Sequence, residues 1–255
     1  MLAPVMTPYL PNGQAKVLLA GEGARSFSDD LHALGLEILY TKPIADLPKV
    51  LCEHADLAVC PMGNKRYLLD ASQEELFTQL QERGLIPICG ETRVQSGYPD
   101  DVIYNCLKIG EKYLLCNKKT AENQILSCAK QENCVILNCK QGYTKCSVAL
   151  VSENAAITDD KSIAKILSAE NFDVLLIQKG DILLHGLDYG FIGGCCTMLS
   201  KSEMLFLGDI RLHQDGDAIR SFLKNHGVIP ICIEKNPLTD IGSLIPLLQE
   251  VNGDA

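Results

Sequence analysis

Gly84-Leu85-Ile86-Pro87-Ile88-Cys89 returns as Gly227-Val228-Ile229-Pro230-Ile231-Cys232, an offset of 143 residues. The context returns with it. Leu76, Leu80 and Gly84 sit at helical spacing before the first copy, as Ile219, Leu223 and Gly227 do before the second. Upstream of each helix lies a short apolar run ending in an acid, Tyr67-Leu68-Leu69-Asp70 and Leu205-Phe206-Leu207-Gly208-Asp209. Three further copies follow the same plan. Their first strands end at Glu22, Asn117 and Asp159, so the five ends are spaced 48, 47, 42 and 50 residues apart. Self-similarity at such a period predicts stacked supersecondary units.

Each unit reads as a strand, a helix and a second strand, then a polar loop and a third strand. Ser26-x-x-Asp29 and Ser72-x-x-Glu75 resemble capping boxes at two helix starts. The third strands are expected at 57–60, 102–104, 147–151, 191–193 and 241–245. The last unit lacks a following strand and helix, and the first lacks a preceding third strand. The N-terminal strand at 17–22 can therefore dock beside the segment at 241–248. That contact closes a ring and hides two sheet edges. An open α/β sheet also explains strand–helix alternation, but not five units with complementary ends.

The chain has 255 residues, enough for one large domain or two small ones. The units, about 17–60, 61–106, 107–151, 152–199 and 200–250, make a single domain over 1–255. Apolar residues are 47% and charged residues 22%, which excludes a disordered or collagen-like chain. No apolar run is long enough to span a bilayer. The start has Pro at 4, 8 and 11 and no basic residue before Lys16, unlike a secretory signal. The net charge of −9 opposes nucleic-acid binding. Twelve cysteines without CxxC pairs or zinc-finger spacing read as reduced cytoplasmic thiols. Cys60, Cys89, Cys116, Cys134 and Cys232 are expected on buried strands.

Five ββαβ units in a closed ring resemble the pentein fold, the pseudo-fivefold propeller of the guanidino-group-modifying superfamily. Asp188-Tyr189-Gly190-Phe191-Ile192-Gly193-Gly194 also resembles an uncharacterised bacterial branch, labelled a domain of unknown function. The resemblance implies a cysteine nucleophile, a histidine proton carrier and carboxylates that hold a flat cation. It also admits a non-catalytic ribosome anti-association factor. In the family the cysteine lies a few residues before a Pro-Leu. Aligned on Pro246-Leu247, its position holds Gly242. The fourth-unit His-x-Asp-x-x-Phe motif keeps Asp188 and Phe191 but has Gly186 at the histidine, with His185 one residue out of register. The third-unit acidic motif is replaced by Gly142-Tyr143-Thr144-Lys145. Hydrolysis of the family type is not expected here.

The residues just before the third strands are Asp56, Asp101, Lys145, Asp188 and Asp240, spaced 45, 44, 43 and 52. In a closed ring, four carboxylates and one lysine then surround one end of a central channel. Such a ring attracts a cation, whether guanidinium, amine or metal, although Asp in turns also holds loops by accepting backbone N–H groups. Three readings stay open. The first is a site for a small cationic ligand built on Asp56, Asp101, Asp188 and Asp240, with His185 as candidate base. The second is a non-catalytic partner-binding protein. The third is an amidine hydrolase using Cys195 or Cys196 beside Gly193-Gly194, where glycines permit a close approach. No metal ligand set and no cofactor motif is found in the sequence.

Overall fold

The computed structural model describes residues 1–233 and 235–251. Four of its sheets share one design. Val59–Gly63, Arg66–Leu69 and Ile86–Cys89 form the first; Leu107–Ile109, Tyr113–Cys116 and Val135–Asn138 form the second. The third is built from Val148–Ser152, Ala155–Thr158 and Asp173–Leu176, and the fourth from Cys196–Ser200, Glu203–Leu207 and Ile229–Ile233. In each, an antiparallel hairpin is followed by a strand parallel to its second arm. A parallel step needs a crossover. The helices Glu74–Glu82, Asn123–Gln131, Lys161–Ala169 and Gly216–Asn225 supply it.

A further sheet joins the chain ends, in the order Leu2–Pro4, Ile245–Glu250, Gln14–Ala20, Glu37–Tyr40. Ile245 pairs with Leu19 and Pro246 with Leu18, antiparallel. The sequence reading missed the strand Leu2–Pro4, and also the parallel pair Ile182–Leu183 with Leu238–Thr239.

The helix ends explain the glycine that opens the repeated hexapeptide. Gly35, Gly84, Asn133, Asn171 and Gly227 all have φ between 57° and 73°, just past a helix. The next residue's N–H returns to the last turn in every case: Leu36 to Leu31, Leu85 to Leu80, Cys134 to Ala129, Phe172 to Leu167, Val228 to Leu223. That pattern is the Schellman ending, which takes Gly or Asn because other side chains strain the left-handed region. Three of the five strand ends share a device as well. Asp70, Asn117 and Asp209 each accept the N–H two residues on, at 2.8, 3.1 and 2.9 Å. These Asx turns launch the crossover.

Several expectations are corrected. Neither capping box forms. Ser26 Oγ donates to the Gly23 carbonyl, and the Glu74–Glu82 helix has no side-chain cap. Glu122 and Asp160 cap the next two helices instead. Four of the five expected third strands lie too early in the chain. Residues 55–58 are a helical turn, 102–104 a turn and 192–194 a 3-10 turn, and 241–244 lie ahead of the strand. The strands proper begin at Val59, Leu107, Cys196 and Ile245. Apolar content alone does not separate a buried turn from the strand it feeds. Cys60 and Cys116 are buried as expected, but Cys89 and Cys232 are exposed and Cys134 half-buried. Cys89 and Cys232 lie on outer-edge strands, where only one flank is covered, and Cys134 just precedes such a strand. Among the described residues, no helix is long and apolar enough to cross a membrane.

Candidate functional site

The turns that feed the strands bring residues far apart in sequence into one buried polar network. Asp56 is 1% exposed. Its Oδ2 accepts from the Ser243 hydroxyl and, at 3.0 Å, from the Cys146 thiol. Lys145 Nζ donates to Ser243 Oγ at 2.7 Å and to the Gly193 carbonyl at 2.6 Å. It also lies 4.8 Å from the centre of the Tyr9 ring. Asn105 braces the other flank. Its Oδ1 accepts the Lys145 N–H at 2.7 Å, and its Nδ2 donates to Cys146 Sγ at 3.2 Å. Donors thus run into Asp56 from both sides. The Lys145 ammonium, one hydroxyl away, supplies the opposite charge that a buried carboxylate requires.

Gly242 and Ser243 both have positive φ, 75° and 76°, and turn the chain sharply into the strand Ile245–Glu250. A Cβ on Gly242 would lie 2.3 Å from Cβ and Cγ of His54. The position that the family resemblance assigns to a nucleophile therefore has no thiol, and His54 fills the space any side chain there would use. Asp240 holds this turn. Its carboxylate accepts the Gly242 N–H at 2.9 Å and the Phe191 N–H at 2.8 Å. Burial pushes the Asp240 carboxyl up, against the lowering by His54 and by those N–H donors. Burial likewise pushes the Cys146 thiol well up, with Asp56 and Asp240 adding to the shift.

A cavity of about 240 Å³ opens beside the network. His54, Cys146 and Asp240 line its buried end, and the exposed Asp188 its rim. Aromatic rings form a wall. Tyr143 and Phe191 stack with centroids 6.0 Å apart, and Tyr189 meets Phe191 edge-on at 5.9 Å. Asp101 is not in the lining. It holds the wall from behind, accepting the Tyr143 hydroxyl at 2.6 Å. Burial and that bond push the Tyr143 phenol up, so it stays protonated. A cleft of about 720 Å³ adjoins through His54, Leu184 and Asp240, and contains His185, Lys49 and Glu53.

The four acids are thus drawn toward one region but not equally. Asp188 and Asp240 share the cavity, Asp56 touches it through Cys146, and Asp101 through Tyr143. His185 is exposed and lines only the larger cleft. Cys195 and Cys196 are buried, their thiols donating to the Ile192 carbonyl at 3.2 and 3.0 Å. Neither lines either of these cavities. Gly193 and Gly194 do permit a close approach, but of the carbonyls at 145–146 and the Asp240 carboxylate rather than of a ligand. Sequence reasoning missed His54, Asn105, Cys146 and Ser243. His54 lies two residues before Asp56, and Cys146 directly follows Lys145, so neighbours of the ring positions were the available signal.

Solved structures of the pentein fold superpose on this architecture. SxtG, an amidinotransferase from Microseira wollei in the saxitoxin biosynthetic pathway, matches at TM-score 0.58 with 11% identity, over 90% of this chain and 91% of its own. The inosamine-phosphate amidinotransferase StrB1 from Streptomyces griseus matches at 0.57 with 10% identity, over 99% and 98%. DDAH from Pseudomonas aeruginosa, complexed with citrulline, matches at 0.52 with 10% identity, over 87% and 92%. At such identities the likeness concerns the fold alone. The chain itself belongs to the family of unknown function DUF6873, whose model matches residues 19–245. No curated protein matches it in sequence.

Proposed function

We propose that this chain is a single five-unit pentein ring that binds a small guanidinium- or amine-bearing ligand in the cavity walled by Tyr143, Tyr189 and Phe191. The observation that carries this reading is the pairing of aromatic faces with carboxylates in one small cavity. A cation gains from the ring quadrupoles and from the negative charge of Asp188 at the rim and Asp240 behind. One neighbour is an agmatine deiminase and another is bound to citrulline, which is consistent with a ligand of that size. Cysteine hydrolysis of the family type is not part of the proposal, because Gly242 has neither thiol nor room for one. The enclosed thiols of Cys195 and Cys196 lend no support to a displaced nucleophile, nor does any feature described favour a partner-binding surface. The free cysteines accord with a reducing, cytoplasmic location.

The test is calorimetry with agmatine, arginine and methylated arginines, run with a chelator present. One saturable site is expected. Ligand at 100 times Kd then adds about 2.7 kcal/mol of stability, or a Tm rise of about 5 °C. Asp188→Asn weakens binding without changing the melting temperature of the free protein. Absence of heat and of a Tm shift across all three ligands rejects the reading.

A further inference from the structure

The buried end of the cavity holds a second recognisable donor set. One ligand atom each from His54, Asp56 and Cys146 lies within 4.8 Å of the other two. The residues are 5%, 1% and 1% exposed. A tetrahedral ion with an Nitrogen or Oxygen ligand at about 2.0 Å and a thiolate at about 2.3 Å sets its donors about 3.5 Å apart. The Cys146 thiol already stands 3.0 Å from Asp56 Oδ2, so only small side-chain rotations separate this set from that geometry.

A second, independent observation points to a ligand. Asp56 Oδ1 is buried and has no hydrogen-bond partner among the described residues. Ser243 and Cys146 crowd donors onto Oδ2 and leave Oδ1 unused. An orphaned carboxylate oxygen at this depth costs free energy unless a ligand meets it. Asp240 is not a candidate ligand, because its two oxygens serve backbone N–H groups.

A divalent ion bound here would displace the Cys146 proton. The sulfur lone pair then forms the metal bond, and the S–H proton passes to the buffer. Asn105 Nδ2, 3.2 Å from Cys146 Sγ, is placed to hydrogen-bond the thiolate, and Ser243 to orient the carboxylate.

We propose that His54, Asp56 and Cys146 form a three-ligand site for Zn²⁺, with its fourth position turned to the aromatic-walled cavity. Nitrogen, oxygen and thiolate together favour zinc over magnesium or calcium. Three protein ligands with an open position are the arrangement of reactive rather than structural zinc sites. This inference does not rest on the organic-cation reading, which is measured with the chelator present.

Co²⁺ titration of the full reduced chain tests it. A thiolate-to-cobalt charge-transfer band is expected, saturating at one equivalent and lost when Zn²⁺ is added. Cys146→Ser abolishes the band. His54→Gln keeps it but weakens cobalt binding about tenfold or more, by loss of a ligand. Replacing the exposed thiols by Cys89→Ser with Cys232→Ser leaves it unchanged, a control that does not disturb the interior. No band in the unmodified protein, a band that survives Cys146→Ser, or a band lost with the exposed thiols overturns the proposal.

Discussion

The outer connections and the inner turns of this molecule follow opposite rules. At the outer ends of the helices, five left-handed residues do one job with one set of hydrogen bonds, and only Gly and Asn occur. At the inner turns, five comparable positions do five different things. Asp56 collects donors from Cys146 and Ser243, Asp101 grips Tyr143, Lys145 neutralises, Asp188 faces solvent and Asp240 staples two backbone N–H groups. The outer connection is closed by its own neighbours in the chain, so the same local chemistry repeats. Each inner position is completed by residues far away in the chain, so each can diverge.

The largest break in that contrast is expected at Lys145. Lys145→Met leaves the buried Asp56 carboxylate without its counter-charge and is expected to cost about 3–5 kcal/mol. Urea denaturation measures it, and a midpoint equal to the unmodified protein's denies the charge balance. Next comes one substitution made in both layers. Gly242 and Gly84 share nearly the same φ, 75° and 73°, but a Cβ meets His54 at the first and nothing within 4 Å at the second. Gly242→Ala is expected to cost about 2–4 kcal/mol, combining overpacking with backbone strain. Gly84→Ala pays strain alone, about 1 kcal/mol. Equal losses would mean that the inner turn is no more constrained than the outer one.

The smallest effect belongs to Asp159, which, like Glu22, forms no Asx turn at its strand end. Its Oδ1 has no partner among the described residues, and burial pushes its carboxyl up to about 6. The folded state therefore binds its proton more tightly than the unfolded chain does. Stability contributed by the protonated form is present below pH about 4 and is lost as pH rises to about 6. Asp159→Asn removes that slope and gains on the order of 1 kcal/mol at pH 7. Thermal melts across that pH range check it, and parallel profiles for the two proteins would refute the assignment.

Much of the fold was legible in the sequence because its signals are local. The glycine of the hexapeptide marks a helix end, the strand-final acids mark Asx turns, and the pairing of residues 17–19 with 245–248 followed from complementary chain ends. The inner turns were less legible. Residues 55–58 and 192–194 carry buried apolar side chains like the strands they precede, so apolar content does not separate turn from strand. Of the site, the acids and Lys145 were visible as a periodic set, whereas His54 and Cys146 broke no pattern.

The sequence by itself determined the α/β class and the absence of a thiol at residue 242. Hydrophobic period, turn chemistry and residue identity are properties of short segments. Only the tertiary structure decided that His54 fills the space beside Gly242, that Lys145 reaches Asp56 through Ser243, and that Asp188 stays in solvent while Asp240 is buried. Those outcomes depend on contacts across 90 to 187 residues of chain, as from Asp56 to Cys146 and to Ser243. Distances of that kind are set by how distant sheets and turns pack together, not by spacing along the chain.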